Sequence, residues 1–318
     1  MRYQKQEILQ QIGARQKLLE SKSVSIVGLG ATGSSVANLL ARSGINLNLV
    51  DRDVVELDNL QRQFLYDEYD IGKPKAIQAK QKLNIINSDI RIKANVEDLN
   101  YSNISRILKS DLILDCTDNM DTRFLLNDFC LKNEIPWVYS AVLGVHGMTM
   151  NFIPGKTPCF RCLFRDQNSI LEHCESTGVL NSITNLIASI QATESIKILT
   201  NQEVNTSLIL FNIWNLNLEK FTVNKNNNCT ACNGNFEYLN GKGDKRILKY
   251  CGINSFQIYG QPIDLSDLFN RLKKTNDSIL SDFCLYTEKF TAFKDGRVLI
   301  KADSVNQAKS IYSRYIGN

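Results

Sequence analysis

Two sets of residues in this 318-residue chain have the types and spacing to act on a nucleotide. Gly28, Gly30 and Gly33 form a GxGxxG pattern between the apolar run at 24–27 and a helical pattern. With no Cβ in the way, such a turn lets backbone N–H groups and a helix N-terminus close on phosphate oxygens. Asp51 ends the next apolar run, where a carboxylate reaches a ribose hydroxyl. The second set follows later strand ends: Asn59, Arg62 and Gln63 in DNLQRQ, Lys75 in GKPKA, and Asp118 and Asn119 in DCTDN. Cations with a carboxylate suit ATP and Mg²⁺. When a carboxylate attacks an α-phosphate, charge builds on the phosphoryl oxygens and the departing pyrophosphate; Arg62 and Lys75 would clamp that charge and Asp118 would hold the metal. Any one of these charges alone reads as solvated surface, and Asp53 as either a neighbour of the site or plain surface. The competing reading is an NAD(P)-dependent oxidoreductase on the same glycine pattern, which would need a hydride-transfer site that these residues do not suggest.

The cysteines form a third set. Cys159 and Cys162, with Cys229 and Cys232, make two CxxC pairs separated by a long segment, the donor set of a tetrahedral structural zinc. A closed site of this kind stabilises rather than catalyses, here by tying a late strand back to the sheet. Cys174 stands outside any CxxC, in a polar loop. Cys116, Cys130, Cys251 and Cys284 are expected to pack as small hydrophobes, and His146 to be a satisfied structural histidine.

The elements that must position these groups alternate. Apolar runs at 24–27, 47–50, 90–96, 112–115 and 137–141 predict strands, with helices from about 34 to Gly44, near 102–108 and over 121–132. This pattern predicts an α/β fold with a Rossmann-like, doubly wound and largely parallel sheet. Later strands are expected at 148–153 and 207–214, and Ile183, Leu186, Ile187 and Ile190 mark one stripe of a long helix between them. We read residues 1–238 as one unit and 239–318 as a small C-terminal α+β domain. The latter would contain a strand at 256–259, a helix near 265–273, a hairpin turning at Asp295-Gly296 and a last helix after Asp303. The 43% hydrophobic and 22% charged composition is that of a folded protein, and a net charge of +4 is too small to imply nucleic acid. With no apolar run of some 18 residues and an odd count of nine cysteines dominated by CxxC pairs, no membrane partner is expected and the compartment reads as reducing cytoplasm.

Together these motifs resemble the ThiF/MoeB group of adenylyltransferases, relatives of the ubiquitin-activating enzymes. The resemblance runs from RYQKQ at 2–6 through GLGATG at 28–33, DNLQRQ at 58–63, GKPK at 72–75 and DCTDN at 115–119 to PCFRC at 158–162, CESTGV at 174–179 and CTAC at 229–232. It implies ATP-dependent adenylation of the C-terminal Gly of a small ubiquitin-like sulfur carrier ending in Gly-Gly, of thiamine or molybdopterin type, by a homodimer with two active sites. By the same resemblance Asp51 binds ribose, Asn59, Arg62 and Lys75 contact the triphosphate, and Asp118 serves the metal and catalysis. Lys5 replaces the arginine that reaches the partner subunit's ATP, keeping the charge and losing the bidentate fork. Thr32 replaces an apolar residue of the glycine turn, a change that a helix N-terminus tolerates. Cys174 matches the cysteine that bonds covalently to the activated carrier in ThiF-like members and is inert in MoeB-like ones; both readings stay open, and His173 beside it could favour the thiolate, although neighbouring side chains diverge. Residues 240–318 resemble an extension of some bacterial members and are expected to dock a partner. No rhodanese-like segment is evident, so sulfur is expected from a separate donor protein. A member that has lost catalysis and acts as a binding scaffold is the third alternative.

Overall fold

The computed structural model describes residues 2–164, 178–243, 247–249, 255–272 and 278–317. The parallel part of the main sheet consists of β1 (Ser23–Val27), β2 (Asn46–Val50), β3 (Ile92–Asn95), β4 (Leu112–Asp115) and β5 (Trp137–Leu143). Between them run α1 (Ala31–Arg42), α2 (Lys75–Ile86) and α3 (Met120–Lys132). The chain then adds β6 (His146–Phe152), α4 (Asn181–Leu199), β7 (Leu208–Asn212) and β8 (Asn217–Phe221). The strand order is β3-β2-β1-β4-β5-β6-β7-β8, parallel as far as β5 and antiparallel beyond it. Because β1 lies between β2 and β4, successive crossovers leave it in opposite directions and open a crevice at its carboxyl end, where ligands bind in such sheets.

Burial explains these elements. β1 and β2 are shielded on both faces and are almost wholly buried, with Val24, Ile26, Leu47 and Leu49 in one core beneath α1 and α2. A second core holds Ile113, Phe124, Trp137, Phe152 and Phe160. Several elements differ from the sequence reading. α1 starts at Ala31, three residues early, because the glycine turn itself opens the helix. The segment near 102–108 supplies only the short turn Ile104–Ile107. The strand expected at 207–214 stops at Asn212 and turns back as the exposed strand β8, through Leu216 at φ +53°. Among the described residues, no helix is long and apolar enough to cross a membrane.

A second, antiparallel sheet is built from β9 (Ile247–Lys249), β10 (Ser255–Tyr259), β11 (Ser278–Leu280), β12 (Cys284–Thr287), β13 (Phe290–Phe293) and β14 (Arg297–Lys301), in the order β11-β12-β13-β14-β10-β9. α5 (Leu265–Leu272) and α6 (Val305–Tyr315) cover one face, burying Phe256, Ile258, Leu268, Phe290, Val298 and Ile300. The other face meets the loop that follows β2: Cys284 and Phe293 pack on Val54. The hairpin turns at Asp295-Gly296 as its residues predict, with Gly296 at φ +93°.

Candidate active site

The chain leaves β1 at Gly28, which has φ +87° and no room for a side chain, since a Cβ would meet the Cys116 carbonyl oxygen at 2.5 Å. Gly33, in the first turn of α1, would place a Cβ 1.9 Å from the Gly28 carbonyl oxygen. Gly33 therefore lets the helix close on the strand, whereas Gly28 and Gly30 face the crevice. Tyr66 supports the turn from behind, its hydroxyl donating to the Leu29 carbonyl at 3.1 Å. Gly33→Ala is expected to lower stability by about 3 kcal/mol, because backbone rather than a flexible side chain must move. Urea melts of the full chain check this.

Asp51 is buried at the end of β2, and both carboxylate oxygens are held. Oδ2 accepts the Leu29 N–H at 2.5 Å and Oδ1 the Asp53 N–H at 2.7 Å. Burial pushes its pKa up to about 6, opposed by the charge of Lys75 and reinforced by that of Asp53. A ribose hydroxyl donates best to the ionised form, so nucleotide affinity should be fully present above that value and weaken as pH falls through about 6. Titrating MgATP against the protein between pH 5 and pH 8 should show this inflection in the native chain and lose it in Asp51→Asn.

The other side of the crevice is assembled from loops at the same edge. Asn59 is buried in the turn Leu57–Asn59, where its Nδ2 donates to Asp58 Oδ1 at 3.0 Å. Arg62 is half-buried and donates through Nη1 to the Asp58 carbonyl at 2.8 Å. Gln63 is buried with Oε1 unpartnered among the described residues. Lys75 opens α2, with Nζ 3.9 Å from Asp53 Oδ2. Asp118 is exposed on the loop after β4. Asn119 caps α3, its side chain accepting the Thr122 N–H at 2.8 Å, which gives it a structural task beside any ligand contact. Gly28, Gly30, Asp51, Asn59, Arg62, Gln63, Lys75, Asp118 and Asn119 all border one cavity of about 950 Å³.

Sequence reasoning missed Arg123. It is buried on α3, donates from Nε to Asp115 Oδ2 at 3.1 Å and from Nη2 to the Thr117 carbonyl, and lies over the Tyr139 ring. Burial works against its charge, but Tyr139, Asp115 and Asp118 outweigh that and raise its pKa, so a fixed cation borders the cavity beside Asp118. The available signal was a cation in the first turn of a helix, where the macrodipole disfavours it.

Of the other residues singled out in the sequence, Cys116 and His146 border the cavity and Lys5, Cys130 and Cys284 do not. Lys5 is exposed on the short helix Gln4–Glu7 and does not border the cavity of its own chain. Cys174, His173 and Cys251 lie outside the described residues. Cys130 and Cys284 are buried, and Cys116 is half-buried behind the glycine turn. His146 is exposed and its Nε2 meets Asn212 Nδ2 at 3.0 Å. The cavity continues along residues 140–146 to Gly178 and Val179, where Gly144 and Val179 form a parallel bridge.

Away from this cavity, Cys159, Cys162, Cys229 and Cys232 converge, with all four sulfurs within 4.8 Å of one another. The Cys159–Cys229, Cys162–Cys232 and Cys159–Cys162 sulfurs are 3.5, 3.6 and 3.8 Å apart. A tetrahedron with Zn–S bonds of about 2.3 Å has edges of about 3.8 Å, so this donor set fits zinc. The Asn226 N–H points to Cys162 Sγ at 3.4 Å, the kind of backbone donor that steadies a metal-bound thiolate.

A parallel-sheet crevice lined by a glycine turn, a buried carboxylate and clustered cations, with a separate four-cysteine knuckle, defines a nucleotide-binding α/β enzyme. The model of the ThiF family matches residues 3–231. The sulfur carrier protein ThiS adenylyltransferase of Bacillus subtilis is 33% identical over 99% of both chains, and that of Escherichia coli 34% identical over 74% of this chain and 95% of its own. The chain belongs to the ThiF family and is an adenylyltransferase. Its fold is that of E. coli MccB solved with ATP, with a TM-score of 0.63 at 21% identity over 71% of this chain and 75% of that one.

Proposed function

We propose that this enzyme uses ATP and Mg²⁺ to adenylate the C-terminal Gly carboxylate of a small ubiquitin-like sulfur-carrier protein ending in Gly-Gly, releasing pyrophosphate. The observation that carries this reading is the cavity itself. Its inner part holds Asp51, Arg62, Lys75, Arg123 and Asp118 around the glycine turn, and its outer part runs past Gly144 to Gly178 as a passage for an extended, small-residue tail. In this assignment Asp51 accepts from the ribose, the backbone at Gly28 and Gly30 and the side chains of Asn59 and Gln63 seat the phosphates, and Arg62, Lys75 and Arg123 stabilise charge on the phosphoryl oxygens and the leaving pyrophosphate. Asp118, supported by Asn119, would hold Mg²⁺, which supplies charge neutralisation to the triphosphate. Residues 1–238 form the adenylating unit, in a homodimer whose Lys5 reaches the partner's nucleotide, with zinc as a structural ion. Sulfur comes from a separate donor protein, in the reducing cytoplasm.

A ThiS-type carrier is the first substrate to test, because the B. subtilis relative named for ThiS matches along its whole length. The test is ATP–pyrophosphate exchange by the zinc-loaded full chain with ThiS-type and molybdopterin-type carriers. Exchange that requires one carrier and its terminal Gly-Gly supports the reading and names the carrier type. Exchange with neither carrier would leave a nucleotide-binding scaffold.

A further inference from the structure

The second sheet docks on the edge of the cavity rather than on a remote surface. Alternate residues of β14 face the first sheet, and each does something different. Arg297 is 1% exposed; it pairs with Asp295 at 2.7 Å, donates to the Arg52 carbonyl at 3.2 Å and the Val96 carbonyl at 3.3 Å, and lies 4.2 Å over the Phe293 ring. On the neighbouring strand, Gln257 Nε2 donates to Asp98 Oδ2 at 2.9 Å and the Tyr259 hydroxyl donates to the same oxygen, while Arg52 Nη1 holds the other at 2.8 Å. The sheet is thus keyed into the carboxyl ends of β2 and β3, immediately beside Asp51. Two residues beyond Arg297, Leu299 pairs with Thr291 across the hairpin, and both border the cavity. Two further on, Lys301 reaches Glu56 Oε1 at 2.9 Å and borders the cavity too.

Glu56 is the cap of the turn Leu57–Asn59, its backbone N–H meeting the Asn59 side-chain oxygen at 3.4 Å. It also belongs to an acid-rich rim with Asp53, Asp58, Glu97 and Asp98, a poor setting for a polyphosphate unless cations answer it. We propose that the C-terminal sheet is a working wall of the nucleotide pocket, in which Lys301 acts as a positioning residue: it neutralises Glu56, holds the turn bearing Asn59 and Arg62, and so favours the bound nucleotide polyphosphate. The proposal rests on the ATP reading above, and its test separates the two.

MgATP is titrated calorimetrically, without carrier, into the zinc-loaded full chain and into Lys301→Ala, Lys301→Glu and Lys301→Arg. The side chain of Lys301 is 43% exposed, so these variants fold. Kd is expected to rise about fivefold in the alanine variant and about twentyfold in the glutamate variant, with arginine close to wild type, as for one cation lost or reversed at a polyanion site. In exchange assays the loss should fall on KM for ATP and leave kcat in place. In a Glu56→Gln background, Lys301→Ala should lose most of its effect. A wild-type chain that binds no MgATP overturns the proposed function itself. A wild type that binds it, with Lys301→Glu unchanged or Lys301→Arg as weak as alanine, overturns the role of the wall and leaves that function standing.

Discussion

Asp118→Ala is expected to lower carrier-dependent ATP–pyrophosphate exchange by about a thousandfold, while changing the folding stability by less than about 0.5 kcal/mol. The asymmetry follows from how the acids at this edge are employed. Asp51 spends its carboxylate on two backbone amides, and Asp115, fully buried, spends its own on Arg123 and Thr117. Asp118 lies at the open end of the loop after β4, where no donor among the described residues reaches its carboxylate. In the proposed assignment it is the acid that would hold a divalent ion against a triphosphate. Because it is exposed and outside the core, its removal should leave the fold intact, so the loss should reside in the rate. MgATP affinity measured by calorimetry should fall much less than exchange does, since in the proposed assignment Arg62, Lys75, Arg123 and the glycine turn would still engage the phosphates. Asp118→Asn, which keeps the shape and removes the charge, should be nearly as inactive. Retention of more than about a tenth of the wild-type exchange rate in either variant would place the metal elsewhere, because a lost charge contact to the reacting phosphates costs far more than that.

What the sequence made legible is the part of the site whose geometry is written locally. A glycine turn between strand and helix has few conformations, so Gly28 and Gly30 could be placed at the crevice from spacing alone, and Asp51 at the end of the next strand with them. The same logic located Asp118, just past β4, and the two CxxC knuckles, whereas Arg62 and Lys75 lie well beyond the end of β2 and reach the cavity through the long loop that follows it. Arg123 and Lys301 at the cavity, and Tyr66 behind the glycine turn, were not legible, since what places them is the packing of α3, of a second sheet and of a loop whose docking no local pattern encodes. Two roles also shifted for physical reasons: Gly33 is needed by the helix–strand contact, and Asn119 serves first as a cap. Helix α2 escaped notice because its buried stripe is Ala76, Ala79 and Leu83, small residues among polar ones that make no apolar run. β2 shows the converse. Its NLNLV alternation suggests one wet face, yet Asn48 is buried and donates to Ser25 Oγ and the Ile107 carbonyl, both at 2.9 Å, while Asn95 donates to Asn48. Satisfied amides take the place of apolar side chains across three adjacent strands.

Removing the zinc proposed for the four-cysteine knuckle, by a strong chelator or by Cys162→Ser, is expected to lower the melting temperature by about 10 °C, corresponding to some 3–4 kcal/mol for a unit of this size. The four sulfurs join two segments far apart in the chain. One is the short helix Phe160–Leu163, whose Phe160 is buried against Phe124, Trp137, Tyr139 and Phe152 and donates its N–H to Asn127 at 2.9 Å. The other is the loop that follows the exposed strand β8. Without the ion, the thiols remain crowded with no shared partner, and the loop keeps only its outlying anchors. Those anchors are real: Arg161 pairs with Glu237, the Tyr238 N–H donates to Asp128 at 2.9 Å, and the Tyr238 ring stacks on Phe124 at 5.0 Å. They are why the expected loss is well below the ~10 kcal/mol or more by which zinc holds a small finger together, where nothing else does. None of the four sulfurs borders the nucleotide cavity, so MgATP affinity at 25 °C should change by less than about twofold, within the additivity expected of well-separated sites. Calorimetric melting before and after chelation, with restoration by one equivalent of Zn²⁺ and a parallel MgATP titration, checks both halves. A protein whose melting is untouched by chelation would have no structural metal there. A protein that loses MgATP binding along with its zinc would have a knuckle coupled to the active site, and the cysteines would belong to the catalytic unit rather than to its frame.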